Sequence, residues 1–302
     1  MKNEEMAWFL VLGSWFLVLG SWFLVLGFEN PEPGTQIPNP NMKYLWIAFT
    51  SIRSNLAYLT EVAARVIFLG VILFIFLQLW KLTFSETRAQ QLGGFTLAQM
   101  LWYLAITESI ILSGPRVSTE VDEDVRTGAL AVQLIRPLSY PLYRLFSTLG
   151  ERTVRFFLNA TVAAVISLVF VGPISISLSG LAMFAVSIPL AFVLDFLGMF
   201  LIGLGAFWLE DTAGLTLIYS RITMILGGLL IPIELFPDAI QPIVRILPFA
   251  SMVYGPAHMF VAPGWSQLID LIIKQSLGIV VLGVIVSFVY QLALKRISAH
   301  GG

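Results

Sequence analysis

The chain has 302 residues, of which 58% are hydrophobic and 12% are charged, and its formal net charge at pH 7 is −1. Soluble domains carry about 25% charged residues, so this composition, with a mean hydropathy of +0.88, excludes a soluble globule and indicates a polytopic membrane protein. The near-zero net charge predicts no attraction to nucleic acid, and the lack of cysteine, with His258 and His300 as the only histidines, excludes disulfides, thiol catalysis and the usual zinc sites.

Residues 8–27 contain a seven-residue repeat, WFLVLGS, that has no polar face. A coiled coil repeats a pattern rather than identical residues, and its outer positions are polar. Three copies of the DNA heptamer TGGTTCT, read in frame, encode the same peptide, so a nucleotide repeat explains the block. We predict that residues 1–41 are a repeat-derived extension outside the fold and that Met42 is the working start. A real span over residues 8–27 stays open, because about 20 apolar residues suffice to cross a bilayer; a signal peptide is a weaker alternative.

Six membrane spans are predicted within residues 42–302. Residues 42–60 come first, with apolar residues at helical spacing, and they predict an amphipathic helix lying in the membrane surface. The predicted spans cover about residues 61–80, 95–112, 153–171, 180–208, 213–231 and 268–294. Pro189 is expected to tilt or break the fourth span.

Lysine and arginine are concentrated on one side of the predicted spans. That side contains Lys43, Arg53, Arg116, Arg126, Arg136, Arg144, Arg152, Arg155, Lys295 and Arg296, whereas the other contains Lys81, Arg88, Arg245 and Lys274. Because cytoplasmic loops are enriched in these residues, we predict that both ends of residues 42–302 are cytoplasmic. This orientation requires an even number of spans.

Several ionisable residues lie inside the predicted spans, where charge is costly and usually paired or functional. Glu61 and Arg65 are four residues apart and are predicted to form a local pair. Glu108 and Asp195 lie deeper, and Arg221 is expected to neutralise one of them. The alternatives are a buried structural pair and a polar point on a transport path or proton site.

Residues 232–263 contain six prolines in an apolar context, namely Pro232, Pro237, Pro242, Pro248, Pro256 and Pro263. Prolines at this density break a spanning helix, and non-helical backbone at membrane depth must be covered by protein or line a water-filled cavity. We predict a re-entrant pair of short helices before the last span. A simple folded outer loop is the alternative.

The loop from Thr119 to Arg155 is polar and arginine-rich. It begins with acidic residues and continues through a Gly-Ala-Leu turn and an amphipathic run; the candidate docking residues are Glu120, Asp122, Glu123, Asp124, Arg126, Gly128, Leu130, Arg136 and Pro137. We interpret this segment as a docking surface for a soluble partner, with a merely solvated charge run as the alternative. The chain has no GxxxxGK[ST] loop, so it is not expected to bind ATP in the P-loop manner.

These features together resemble the permease subunits of ABC transporters of the ABC-2 exporter class, over about residues 42–297. The resemblance rests on the segments Asp124 to Leu130 and Leu134 to Ser139, on Phe236-Pro237 and Leu247-Pro248, and on the order of the parts. It implies an all-α membrane protein of six transmembrane helices. It also implies an elbow helix after Met42, a coupling helix within Glu120–Gly128, and re-entrant helices, marked by Pro237 and Pro248, that cap the path.

The resemblance also implies the partners. A separate ABC ATPase subunit would hold ATP and magnesium, a second permease copy or a paralogue would complete the path, and this chain would bind no cofactor and have no catalytic site. Export across the cell inner (plasma) membrane is expected. The alternatives are a proton-coupled secondary transporter using Glu108 or Asp195, and a membrane enzyme or scaffold. The apolar, aromatic spans favour an amphipathic or lipid-like substrate.

Overall fold

The computed structural model describes residues 43–55 and 59–300, and these residues form helices joined by turns. The all-α membrane fold is therefore confirmed. The predictions for residues 1–41 lie outside the described residues, and so do the side chains of Glu61 and Arg65. The helices are α1 (Lys43–Asn55), α2 (Leu59–Thr87), α3 (Leu97–Leu112), α4 (Val117–Arg126), α5 (Ala129–Leu134), α6 (Tyr140–Val171), α7 (Leu178–Leu204), α8 (Ala213–Leu226), α9 (Gln241–Ile246), α10 (Pro248–Met252), α11 (Tyr254–Val261) and α12 (Trp265–His300).

Five helical stretches are long and apolar enough to cross a membrane: Ile67–Thr87, Leu97–Arg126, Tyr140–Val171, Leu178–Phe207 and Trp265–Arg296. The second stretch joins α3 to α4. The predicted fifth span corresponds to α8, which has only 14 residues. Its length of about 21 Å is less than the hydrocarbon thickness of about 30 Å, so α8 alone does not settle the count of six.

α8 contacts α4 near its start, and the turn that follows α8 contacts α3. Near its start, Thr216 Oγ1 donates a hydrogen bond of 3.0 Å to Ser118 Oγ on α4. Beyond its end, Tyr103 OH on α3 donates to the Gly228 carbonyl, and Thr107 Oγ1 donates to the Leu229 carbonyl at 3.3 Å. The turn after α8 therefore continues its course along α3.

α7 lies at the centre of the described helices and packs against α4, α6, α8, α10, α11 and α12. Pro189 lies within α7 without ending it, so the predicted break is wrong. At the C-terminal end of α7, Phe200 and Leu204 form a core with Val121 of α4 and Val286 of α12. Every residue of α3 from Met100 to Ile110 is buried, because α2, α6 and α11 cover it.

The third predicted span begins too late in the chain. α6 starts at Tyr140, not near Thr153, so Arg144, Arg152 and Arg155 are helix residues and not loop residues. Each of these arginines forms an ion pair with a carboxylate. Their charges are therefore compensated inside the fold, and the helix continues through them.

The proline-rich segment forms α9, α10 and α11, and Pro248 is the first residue of α10. At the turn between α10 and α11, the Met252 sulfur lies 3.6 Å from the Tyr219 hydroxyl of α8. At the end of α11, the Val261 carbonyl accepts a hydrogen bond of 3.2 Å from Gln99 near the start of α3. The chain runs inward along α7 and returns, which is the course expected of a re-entrant helix pair.

α1 packs against the beginning of α6. The Ser139 backbone N–H donates to Tyr44 OH at 3.1 Å, and the hydroxyls of Ser51 and Ser147 lie 3.0 Å apart. α1 therefore lies at the same end of the described helices as the start of α6.

Candidate functional site

The polar loop folds into a helical hairpin of α4 and α5, here called the docking hairpin (residues 117–137). Gly128 forms the turn with a φ of +73°, which is in the left-handed region that glycine adopts without steric cost. Leu130 is 2% exposed and Val121 is fully buried, and both belong to the core formed with α7. Leu130 was predicted as a docking residue, and in the structure its side chain is buried in this core.

Most of the acidic residues of the docking hairpin form ion pairs within the chain. Arg144 of α6 binds Glu120 at 2.7 Å and also binds Asp124. The hydroxyl of Tyr140 donates to the same Asp124 carboxylate at 2.6 Å. These contacts fasten α4 to the first turns of α6.

The two remaining acidic residues differ from each other. Asp122 binds Arg126 at 2.8 Å, one turn further along α4, whereas Glu123 is exposed. Three of the four acidic residues that were predicted to dock are thus ion-paired within the chain. Arg136 and Pro137, which follow α5 and were also predicted to dock, are exposed.

Large apolar side chains are exposed at the tip of the docking hairpin. Ile135 is 84% exposed, Val132 is 61% exposed and Leu134 is 36% exposed. Sequence reasoning treated this run only as an amphipathic element and did not assign these residues. The exposure of Val132 could have been predicted from the sequence. Leu130 and Val132 are two residues apart and therefore face opposite sides of a helix, so only one of them can face the core.

A second candidate site is a buried ion pair between α6 and α7. Arg152 Nη1 lies 2.6 Å from Asp195 Oδ2, and the Tyr219 hydroxyl of α8 donates to the other Asp195 oxygen at 3.0 Å. The Arg152 guanidinium also lies 4.2 Å above the Phe192 ring and donates to the Ile110 carbonyl of α3 at 3.4 Å. Arg152 of α6 therefore contacts two other helices, α7 and α3.

The structure corrects the predicted partner of Asp195. Arg221 is exposed on α8 and its guanidinium contacts the sulfur of Met224 at 3.5 Å. The partner is Arg152, which the sequence reading had assigned to the loop. Glu108 is 4% exposed, and within the described part of the chain its carboxylate has neither a hydrogen bond nor an ion pair.

A cavity of about 160 Å³, with both charged and apolar residues in its wall, lies between α9–α11 and the first turns of α12. Glu234 in its wall accepts hydrogen bonds from Tyr254 and from Arg245, the latter at 3.3 Å. Across the cavity wall, Lys274 binds Asp270 at 2.6 Å. Sequence reasoning did not predict this cluster, because its members are far apart in the chain. Pro237 and Pro248, which were predicted to mark this region, do not line the cavity; Pro248 begins α10.

The comparison with protein families identifies the chain. The model of a family described as ABC-2 family transporter protein matches residues 69–301, which include every helix from the latter part of α2 to α12. No curated protein matches the chain. The matched region covers most of the sequence and contains the docking hairpin, the buried ion pair and the re-entrant segment. This chain belongs to the ABC-2 family transporter proteins, and it is a multi-pass transmembrane permease.

Proposed function

We propose that the chain is the membrane subunit of an ATP-driven exporter and that it is moved by a separate ATPase subunit. The observation that carries the proposal is the docking hairpin, which presents an exposed tip while its base is fixed to the transmembrane helices. Val121 packs on α7, and Glu120 and Asp124 bind Arg144 of α6. A force on the tip would therefore reach both helices.

The proposed mechanism is a shift between two states of the helix bundle. ATP and magnesium would bind to the partner, and closure of the ATPase dimer would displace the docking hairpin. Such a partner moves the equilibrium only by binding one state of the permease more tightly than the other. The displacement would pass through Arg144 to α6 and through the core around Phe200 to α7.

The proposal includes a second permease subunit, identical or paralogous, with the transport path between the two. The re-entrant helices α10 and α11 would cap this path on the outer side. α1 would be the elbow helix on the cytoplasmic surface, and residues 1–41 would lie outside the functional domain. Both ends of residues 42–302 would be cytoplasmic in the inner membrane, in keeping with the arginines of the docking hairpin.

The proton-coupled alternative depends on Glu108 and Asp195. Asp195 is bound to Arg152 and Tyr219, so both of its carboxylate oxygens already have partners within the chain. Glu108 is buried and is the carboxylate on which this alternative would have to rest. Transport that follows a pH gradient, ignores ATP and disappears in Glu108→Gln would favour it.

Co-purification tests the proposed function. The full chain is tagged, purified in mild detergent from its native membranes and examined by mass spectrometry and ATP hydrolysis. We expect a co-purifying subunit with a GxxxxGK[ST] loop and vanadate-sensitive ATP hydrolysis in the complex. A monodisperse preparation that repeatedly lacks such a subunit would contradict the proposal.

A further inference from the structure

The cavity beside the re-entrant segment contains charged side chains of both signs. Glu234 lies in the turn before α9, Arg245 lies on α9, and Asp270 and Lys274 lie on α12. The apolar part of the wall is formed by Ile233, Ala250, Met259 and Leu271. A concave surface that combines apolar side chains with a few convergent polar groups is typical of a site for a small ligand.

The two ion pairs in the cavity wall are accessible to solvent. Arg245 lies 3.3 Å from Glu234 and 42% of its side chain is exposed. Lys274 binds Asp270, whose side chain is 62% exposed. Exposed pairs of this kind contribute little to stability, because water competes for both partners. A ligand that carries charged groups can therefore exchange partners with them at small cost.

Glu234 has an acceptor that is not used within the chain. Its Oε1 atom accepts hydrogen bonds from Tyr254 and Arg245, whereas its Oε2 atom is buried and accepts none from the described residues. A buried acceptor without a donor is costly. The cavity wall therefore has capacity for one more N–H donor, such as an ammonium group.

The position of the cavity along α12 corresponds to the level of lipid head groups. Trp265, the first residue of α12, is exposed, and tryptophan is enriched at the membrane–water interface. The α12 residues that line the cavity extend from Gln267 to Lys274, a rise of about 10 Å. Ile269 and Ile273 lie among them and are exposed. The cavity thus lies where a lipid changes from polar head to apolar chain.

We propose that this cavity binds the zwitterionic head group of an amphipathic ligand, one that carries an ammonium group and a phosphate. Glu234 and Asp270 bind the ammonium group, and Arg245 and Lys274 bind the phosphate. The formal charges of these four side chains sum to zero. A neutral zwitterion therefore leaves no charge uncompensated, whereas a ligand with a net charge does. The inference does not depend on an ATPase partner.

Binding of defined lipids to the purified full-length chain tests the proposal. Native mass spectrometry in detergent at neutral pH measures the affinity for dihexanoyl phosphatidylethanolamine, which is zwitterionic, and for dihexanoyl phosphatidylglycerol, which is anionic and has the same chains. We expect the zwitterionic lipid to bind roughly tenfold more tightly, the equivalent of one charge-assisted hydrogen bond. Equal affinities of the wild-type chain for the two lipids would overturn the proposal.

Two variants change the net charge of the cavity wall. Asp270→Asn makes the wall positive and should reverse the preference in favour of phosphatidylglycerol. Lys274→Gln makes the wall negative and should weaken the binding of phosphatidylglycerol further. Loss of a purely structural ion pair would not reverse the selectivity. Size-exclusion profiles and thermal midpoints check that both variants fold.

The matched controls are Glu86→Gln and Lys81→Gln, which change the charge of the chain by the same amounts at exposed positions of α2. Both should keep the wild-type preference. An equal reversal in Asp270→Asn and Glu86→Gln would overturn the proposal, because the selectivity would then report the charge of the whole chain. An unchanged preference in both Asp270→Asn and Lys274→Gln would overturn it as well.

A competition experiment distinguishes a lipid from a soluble ligand. Glycerophosphoethanolamine has the same head group without the acyl chains. If it displaces the zwitterionic lipid from the wild-type chain, the head-group site is supported and a soluble zwitterion is sufficient as ligand. If the preference and its reversal are seen without such displacement, the site is supported with a lipid as its ligand. Absence of an ATPase subunit would contradict the proposed function and leave this test unaffected.

Discussion

Arg152 and Asp195 form an ion pair in which both charges are largely removed from water. The Arg152 side chain is 3% exposed and that of Asp195 is 12% exposed. Removal of one partner from such a pair leaves an uncompensated charge, whereas replacement of both by apolar residues is often tolerated. The pair therefore specifies how α6, α7 and α8 fit together more than it adds net stability.

We expect Asp195→Asn to destabilise the folded state by about 3–5 kcal/mol, measured as a lowered thermal midpoint in detergent. The double variant Arg152→Met with Asp195→Leu should recover most of that loss. Glu151→Gln is the matched control, since Glu151 binds Arg155 one turn away on the same helix, and such local pairs contribute only about 0.3–0.5 kcal/mol. Equal midpoints for Asp195→Asn and Glu151→Gln would contradict a structural role of the buried pair.

Gly198 allows the Tyr219 hydroxyl to reach Asp195. A Cβ atom at Gly198 would lie 2.4 Å from the Tyr219 oxygen and 2.8 Å from its Cζ. Tyr219 cannot withdraw without losing its hydrogen bond to Asp195, so the added methyl group must displace the ring or separate α7 from α8. The glycine is therefore required by a close approach between helices.

Gly198→Ala is expected to cost about 1–3 kcal/mol through overpacking, seen as a lower thermal midpoint. Gly283→Ala on α12 is the control, because a Cβ atom there meets no atom within 4 Å. Alanine is the better helix former, so the control variant should be as stable as the wild type or slightly more so. The argument from close packing fails if both variants behave alike.

At the scale of elements, Gln275 joins three helices. Its side-chain amide donates to the Ser187 carbonyl of α7 at 3.1 Å and to the Ser251 carbonyl of α10 at 2.9 Å. Gln275 is fully buried, and its position on α12 holds the re-entrant pair against the centre of the bundle. The side-chain amide of Gln275 thus links α10 to α7 and α12.

We expect Gln275→Leu to lower stability by about 0.6–1.7 kcal/mol, the range of interhelical hydrogen bonds in membranes. Limited proteolysis should also cut faster between α9 and α11, because the segment loses its attachment. Gln291→Leu, at an exposed position of α12, supplies the control and should change neither property. Unchanged proteolysis in Gln275→Leu would mean that packing alone holds the segment.

The hydropathy pattern predicted the helices well, because it depends on local composition. It predicted α3 almost to the residue, and the proline density predicted the short helices before α12. The hydropathy pattern failed where the boundary of a helix depends on an ion pair with a residue distant in the sequence. Arg152 was assigned to a loop because Asp195, which neutralises it, is 43 residues away.

The docking hairpin illustrates the same limit. The sequence located it correctly between the second and third spans, from its polarity and from Gly128. The pattern could not reveal that Arg144 binds Glu120 and Asp124, because that contact requires α6 to begin at Tyr140. The acidic run was therefore interpreted as a binding surface, although most of its carboxylates form ion pairs within the chain.

At the scale of the whole molecule, the number of spans depends on α8. Its 14 residues are too few to cross a bilayer as a helix, but the following turn is held against α3 by Tyr103 and Thr107. Buried backbone that is not helical is tolerated at membrane depth when protein covers it. We therefore expect α8 and residues 227–232 to cross together, which gives six spans.

The chain contains no cysteine, so single introduced cysteines report topology without background. Glu210→Cys precedes α8 and Ala239→Cys follows it, and both positions are exposed. A membrane-impermeant maleimide added to intact cells should label Ala239→Cys together with the reference Gln91→Cys, and should label Glu210→Cys only after permeabilisation. Six spans with both ends inside require this pattern. Labelling of Glu210→Cys and Ala239→Cys from the same side would show that α8 does not cross, and the last span would then place the two ends on opposite sides of the membrane.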